Sequence, residues 1–202
     1  MQSSWEIVSS KTCFHDKNLE VVVEEIRSPV RSEPRRWTVV RRKRAVVVAP
    51  MTGDGKIILI RQERIPIQQT IWEVPAGQID DAVAGVDDRG QRLDMDAIAA
   101  VALRELREET GFELAEGGDL VPLGDYFTSP GFTDERGYFF LARPVRQSAA
   151  GHSHDESESI LDCRAFSAEE LRGMIANNKI RDANTLAICA RLLSRGFLSF
   201  QV

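Results

Sequence analysis

The sequence predicts a mixed α/β (α+β) chain, with an antiparallel β-rich N-terminal element ahead of a larger region that mixes strands and helices. Three observations predict it. β-Branched runs dominate residues 4–50 and are broken by Pro, Ser and Gly. Hairpin signals such as "TGDGK" sit between apolar runs. Later segments carry helix start and stop residues.

Taken in order, "SWEIVSSKTCF", "LEVVVEEIRSP" and "RWTVVRRKRAVVVAP" read as strands. The basic run "RRWTVVRRKR" reads as a solvated edge strand, because lysine and arginine blunt sheet edges. A binding role is the alternative. "IILIRQERI" is a buried strand that leaves into a polar segment. "TIWEVPAGQI" is a short strand entering a Pro-Ala-Gly turn. Residues 80–96, "DDAVAGVDDRGQRLDMD", are acidic with little periodicity and read as a surface loop.

A helix is expected from Asp96 to Thr110, with Asp94 or Asp96 as N-cap. Gly111 suits the left-handed C-cap position, and Phe112 follows it for the accompanying apolar contact. "LVPLGDYFTS" and "RGYFFLARPV" read as strands around the turn-rich "SPGFTDE", and "ILDCRAF" as another. "SAEELRGMIANNKI" opens with a capping box, Ser167 with Glu170. "RDANTLAICARLLSRG" is a last helix, ended by Gly196.

Composition narrows the class. The 202 residues are 43% hydrophobic and 28% charged, which suits a packed core and argues against disorder. The net charge of -5 argues against nucleic acid as partner. It leaves room for small phosphorylated substrates held by local cations. Cys13, Cys163 and Cys189 lie far apart with no zinc spacing, so they read as reduced and structural. No signal peptide and no membrane-spanning apolar run are seen, so the expected setting is the cytoplasm, without a membrane partner.

"LRELREETGF", residues 103–112, carries the functional question. At about 100° per residue, Ile98, Val101 and Ala102 cluster on one helix face. Glu105, Glu108 and Glu109 continue that same face, while Arg104 and Arg107 point elsewhere. An ordinary solvated helix puts its acids opposite the apolar stripe. Three like charges this close need either a cation or neighbouring arginines. Oxygen ligands at such spacing suit a hard ion such as Mg²⁺. Solvated salt bridges at the helix end are the bland alternative.

The spacing is more specific. Gly90, five residues, Asp96, seven residues, then "RELREETGF" resembles the Nudix box. The family has Glu where this chain has Asp96. In the ADP-ribose pyrophosphatase branch the box glycine belongs to a "PAG" turn, which here gives Gly77 in "EVPAGQID" as the equivalent and Gly90 as a coincidence. "IRQERIP", "WEVPAG", "SPGFTDE", "DESESI" and "KIRDANTLAICARLL" extend the resemblance over residues 40–195. They resemble the ADP-ribose pyrophosphatases and related nucleoside diphosphate-sugar hydrolases.

The resemblance implies an α/β/α sandwich with a mixed sheet over residues 46–202, and a dimerising β-rich element over 1–45. It implies hydrolysis of a nucleoside diphosphate sugar, above all ADP-ribose to AMP and ribose 5-phosphate. Divalent ions would neutralise the phosphate oxygens and polarise the scissile bond. Mg²⁺ is the expected ion, with Mn²⁺ as the alternative.

Glu105, Glu108, Glu109, Glu158 and the carbonyl of Ala76 are the implied metal ligands. Glu156 is the implied general base, with Glu109 and Glu105 completing the catalytic set. Arg104 is implied to orient a box glutamate, Asp96 to support or cap, and Gly77 and Gly111 to shape the backbone. Arg61 and Arg64 are implied at the diphosphate, and Ser129, Gly131, Phe132 and Glu135 at the terminal ribose. Trp37 and Trp72 are possible base stackers or core residues. Other readings are a GDP-mannose-like or dinucleotide hydrolase, or a non-catalytic nucleotide-binding regulator.

Overall fold

A computed structural model describes residues 4–80, 94–149 and 159–200. The chain divides into two compact units, residues 1–44 with 127–136, and residues 45–126 with 137–202.

The first unit is an antiparallel sheet of β1 (Glu6–His15), β2 (Leu19–Arg27) and β3 (Arg35–Arg42), in that order. Asp16 makes the first turn, its carboxylate accepting from the amides of Asn18 and Leu19. The basic β3 lies at the sheet edge, as expected for "RRWTVVRRKR". Part of that edge is covered by the 129–133 turn. The Val40 amide donates to the Phe132 carbonyl at 2.8 Å, and Trp37 Nε1 to the Gly131 carbonyl at 3.0 Å.

The second unit contains β4 (Ala45–Thr52), β5 (Ile57–Arg64), β6 (Gln69–Glu73), β7 (Ala76–Gln78), α1 (Met95–Thr110), β8 (Phe112–Phe127) and β9 (Arg136–Gln147). It ends with β10 (Ile160–Phe166), α2 (Ala168–Ala176) and α3 (Ala183–Ser194). The sheet order is β10-β5-β4-β9-β8, with β6 added beside β5 and β7 beside β4. It is mixed: β4 pairs parallel with β9 and antiparallel with β5. β4 and β5 join through the expected "TGDGK" hairpin, where Gly55 takes φ 80°.

Alternation along the central strands sorts the core onto two faces. Val46, Val48, Ile58, Phe140 and Ala142 pack against Ile98, Val101, Ala102 and Leu106 of α1. Val47, Ala49, Leu59, Phe139 and Leu141 pack against Leu171 of α2, and Ile188 and Leu192 of α3. The sheet is thus sandwiched between α1 and the α2–α3 pair, the α/β/α arrangement that the resemblance implies. Trp72 packs against the second cluster and meets Phe166 edge-on at 5.1 Å, a core position.

One strand differs from expectation. β8 begins directly after α1 at Phe112 and runs through "FELAEGGD" into the strand expected from Leu120. Gly117 takes φ 70°, and a Cβ on Gly118 would lie 2.7 Å from the Pro144 carbonyl oxygen. Gly117 thus supplies a left-handed backbone residue and Gly118 a close backbone approach, both inside the strand. Among the described residues no helix is long and apolar enough to cross a membrane.

Candidate active site

α1 is set by its ends and its apolar stripe. Asp94 is the N-cap, its carboxylate accepting from the amides of Asp96 and Ala97. Asp96 sits in the first turn and is exposed, where its charge complements the helix dipole. Gly111 closes the helix at φ 72°, its amide donating to the Arg107 carbonyl.

The acids do continue the buried stripe. Glu105 is 7% exposed and Glu109 1%, whereas Arg104 and Arg107 are exposed. Glu108, on the rim, is only partly buried. Arg104 Nη2 meets Glu105 Oε1 at 2.6 Å, and Arg104 Nε lies 3.9 Å from Glu108. Exposure of the guanidinium leaves these pairs open to water on one side.

The "PAG" turn lies against the two buried carboxylates. The Ala76 amide donates to Glu109 Oε2 at 2.8 Å. A Cβ at Gly77 would overlap the Glu105 side chain, well under 3.0 Å from its carboxyl carbon. Only glycine lets the turn approach so closely. Gly77 is therefore the glycine that touches the helix acids, while Gly90 lies outside the described residues, as do Glu156 and Glu158.

Among the described residues, no group of three or more His, Cys, Asp or Glu side chains is assembled as a metal centre. The donor chemistry nonetheless fits a hard divalent cation: two buried carboxylates, Glu105 and Glu109, lie on one helix face against the Ala76–Gly77 backbone turn.

Arg61 and Arg64 leave β5 on opposite faces, because their parity differs. Arg61 is exposed and donates to Thr70 Oγ1 at 3.1 Å. Arg64 forks onto Glu73, with Nε to Oε1 at 2.9 Å and Nη2 to Oε2 at 2.6 Å. Its partner is thus Glu73. Burial opposes the Arg64 charge, but the Glu73 hydrogen bonds and the charges of Glu73, Glu109 and Asp182 outweigh it and hold its pKa above the ordinary arginine value. For Glu73, only 3% exposed, burial is the largest influence and pushes the carboxyl up despite Arg64. Arg64 therefore belongs electrostatically to the Glu109 end of α1.

The four residues expected at a terminal ribose belong to the first unit. The Ser129 carbonyl accepts from the Phe132 and Thr133 amides, forming a tight turn. Gly131 accepts from Trp37, and Phe132 is 55% exposed. Glu135 is held by Thr128 Oγ1 at 2.9 Å and Arg42 Nη1 at 3.2 Å. The Trp37 ring is half exposed.

Sequence reasoning missed two groups. Glu73 in "WEVPAG" lies in a segment whose sequence reads only as a strand entering a turn. Thr185 lies in a segment whose sequence reads only as a helix, yet it is fully buried and accepts from the Val74 amide just ahead of the turn. A buried acid in a strand calls for a nearby cation, so the arginine at the end of the adjacent β5 was the available signal.

Comparison with known proteins agrees with this geometry. The NUDIX domain family model matches residues 41–187. An ADP-ribose pyrophosphatase of Bacillus subtilis is 29% identical over 178 residues, 88% of this chain and 86% of that one. An ADP-ribose pyrophosphatase of Mycobacterium tuberculosis is 30% identical over 193 residues, 94% of this chain and 85% of that one. The fold also matches a crystal structure of an ADP compounds hydrolase, with TM-score 0.72, 18% identity and coverage of 98% and 99% of the two chains. On the family match, the relatives and the box helix against its turn, the chain belongs to the Nudix family and is a Nudix hydrolase of the ADP-ribose pyrophosphatase branch.

Proposed function

We propose that this hydrolase cleaves the diphosphate bond of a nucleoside diphosphate sugar, with ADP-ribose as substrate and AMP and ribose 5-phosphate as products. The observation that carries the reading is the pair of buried carboxylates, Glu105 and Glu109, set against the Ala76–Gly77 turn. A helix that served only stability would not bury two acids where its apolar stripe continues. The pyrophosphatase relatives, aligned over most of both chains, support the substrate class.

In this reading Glu105, Glu108, Glu109 and Glu158, with the Ala76 carbonyl, would hold Mg²⁺ or Mn²⁺, which when bound would neutralise the phosphate oxygens and polarise the scissile bond. Arg104 restrains Glu105, and Arg64, already oriented by Glu73, presents a fixed cation to the diphosphate. Arg61 is a second diphosphate contact. Glu156 takes the proton of the attacking water. Ser129, Gly131, Phe132 and Glu135 receive the terminal ribose.

The reading extends to a homodimer built through residues 1–45 and to a cytoplasmic setting. What supports the dimer is the exposure of every β1 residue, including Ile7, Val8 and Phe14.

The test is a panel of ADP-ribose, GDP-mannose, UDP-glucose and NADH with Mg²⁺, scored by released phosphomonoester. ADP-ribose turns over fastest, and chelation abolishes the signal. Faster release from GDP-mannose moves the substrate assignment. No release from any of them, with nucleotide still bound, replaces the enzyme by a regulator.

A further inference from the structure

β6 ends at Glu73, paired with Ile60 of β5, and β7 begins at Ala76, paired with Val47 of β4. Between them Val74 and Pro75 carry the chain from one sheet partner to another. Such a crossing leaves backbone groups outside the ladder, and buried ones need partners. Pro75 has no amide to satisfy, and its carbonyl accepts from the Val48 amide at 2.9 Å. Val74 is 1% exposed, and its amide donates to Thr185 Oγ1 at 3.0 Å across 111 positions of sequence.

Thr185 is itself fixed. It is fully buried in the first turn of α3, its hydroxyl donates to Asp182 Oδ2 at 2.7 Å, and its amide donates to the same oxygen at 2.8 Å. With its proton directed at the N-cap carboxylate, the hydroxyl oxygen is left to accept from Val74. Two residues beyond Val74, the Ala76 amide reaches Glu109. The turn is therefore held from both faces of the sheet: α3 fixes its start through Thr185, and α1 meets its end through Glu109.

We infer that Thr185, oriented by Asp182, is a positioning residue for the active site, setting where the Ala76–Gly77 turn stands against Glu105 and Glu109. An ordinary helix cap would be complete with the Asp182–Thr185 amide bond. The hydroxyl adds a bond that only the turn uses. The inference rests on the hydrolase reading above and adds a residue outside the box to it.

The test compares two pairs that differ by one oxygen at matched shape, Thr with Thr185→Val and Thr185→Ser with Thr185→Ala. Each is assayed well below its melting temperature for ADP-ribose hydrolysis and, separately, for Mn²⁺ affinity by electron paramagnetic resonance. Thr185→Val is expected to lower kcat and Mn²⁺ affinity about tenfold each, the scale of leaving one buried donor unsatisfied. KM changes little, and Thr185→Ser stays within about twofold of the parent. If Thr185→Val fails to fold, the same loss is expected between Thr185→Ser and Thr185→Ala. Hydroxyl-free variants that keep parental kcat and Mn²⁺ affinity, even with a lowered Tm, overturn the inference and leave Thr185 a structural residue. A parent chain that binds Mn²⁺ but hydrolyses nothing sinks the hydrolase reading instead. The Mn²⁺ comparison then still decides the positioning role.

Discussion

Gly77 and Glu105 occupy the same space in turn: the glycine's missing side chain is where the glutamate lies. The turn and the helix thus approach more closely than any other residue at position 77 allows, and this contact sets the position of a buried carboxylate.

Gly77→Ala is expected to displace Glu105 or push the turn from α1. A displacement on the order of 1 Å at a reacting site costs about 100-fold in rate, and overpacking costs about 1–3 kcal/mol of stability. Steady-state kinetics with a thermal melt checks both. Unchanged activity would mean that Glu105 has no part in the chemistry.

Glu109→Gln keeps an oxygen for the Ala76 amide but loses the charge. The expectation is a kcat at least about 100-fold lower with an unchanged circular dichroism spectrum, consistent with loss of electrostatic stabilisation at the reacting centre. Glu156→Gln should slow turnover while Mn²⁺ affinity holds, as suits a base rather than a ligand. Equal losses of affinity in the two variants would make Glu156 a ligand.

Asp94→Ala removes the α1 cap and is expected to cost about 1 kcal/mol. Asp96→Ala, which loses only a dipole interaction, should cost about 0.3–1 kcal/mol at most. Chemical denaturation of both variants checks the order. The reverse order would move the cap to Asp96.

Burial pushes the Cys163 and Cys189 thiols up to about 11. Both stay protonated in the fold after the unfolded chain has begun to ionise at the ordinary 9.0. Their contribution to stability is therefore full below pH 9.0 and lost as the pH climbs through about 11. A Cys163→Ser/Cys189→Ser double variant should lose stability less steeply than the parent across that window. Iodoacetamide at pH about 8 should label the exposed Cys13 first. Equal labelling of all three would contradict the burial.

Features set by neighbouring residues were legible in the sequence. The Gly111 cap, the Ser167–Glu170 capping box, the Thr52–Lys56 hairpin and the acids continuing the α1 stripe all depend on residues within a few positions of one another. The continuous apolar run that opens β5 likewise announced a buried strand. Between Asp94 and Asp96 the sequence offered two caps, and the geometry chose Asp94. The start of β8 at Phe112, ahead of "LVPLGDYFTS", was illegible, because Gly118 owes its place to the distant Pro144 carbonyl. The same holds for Arg64 with Glu73 and for Val74 with Thr185. Those pairings are fixed by which strands lie side by side and which helix covers them, so only the tertiary structure decided them.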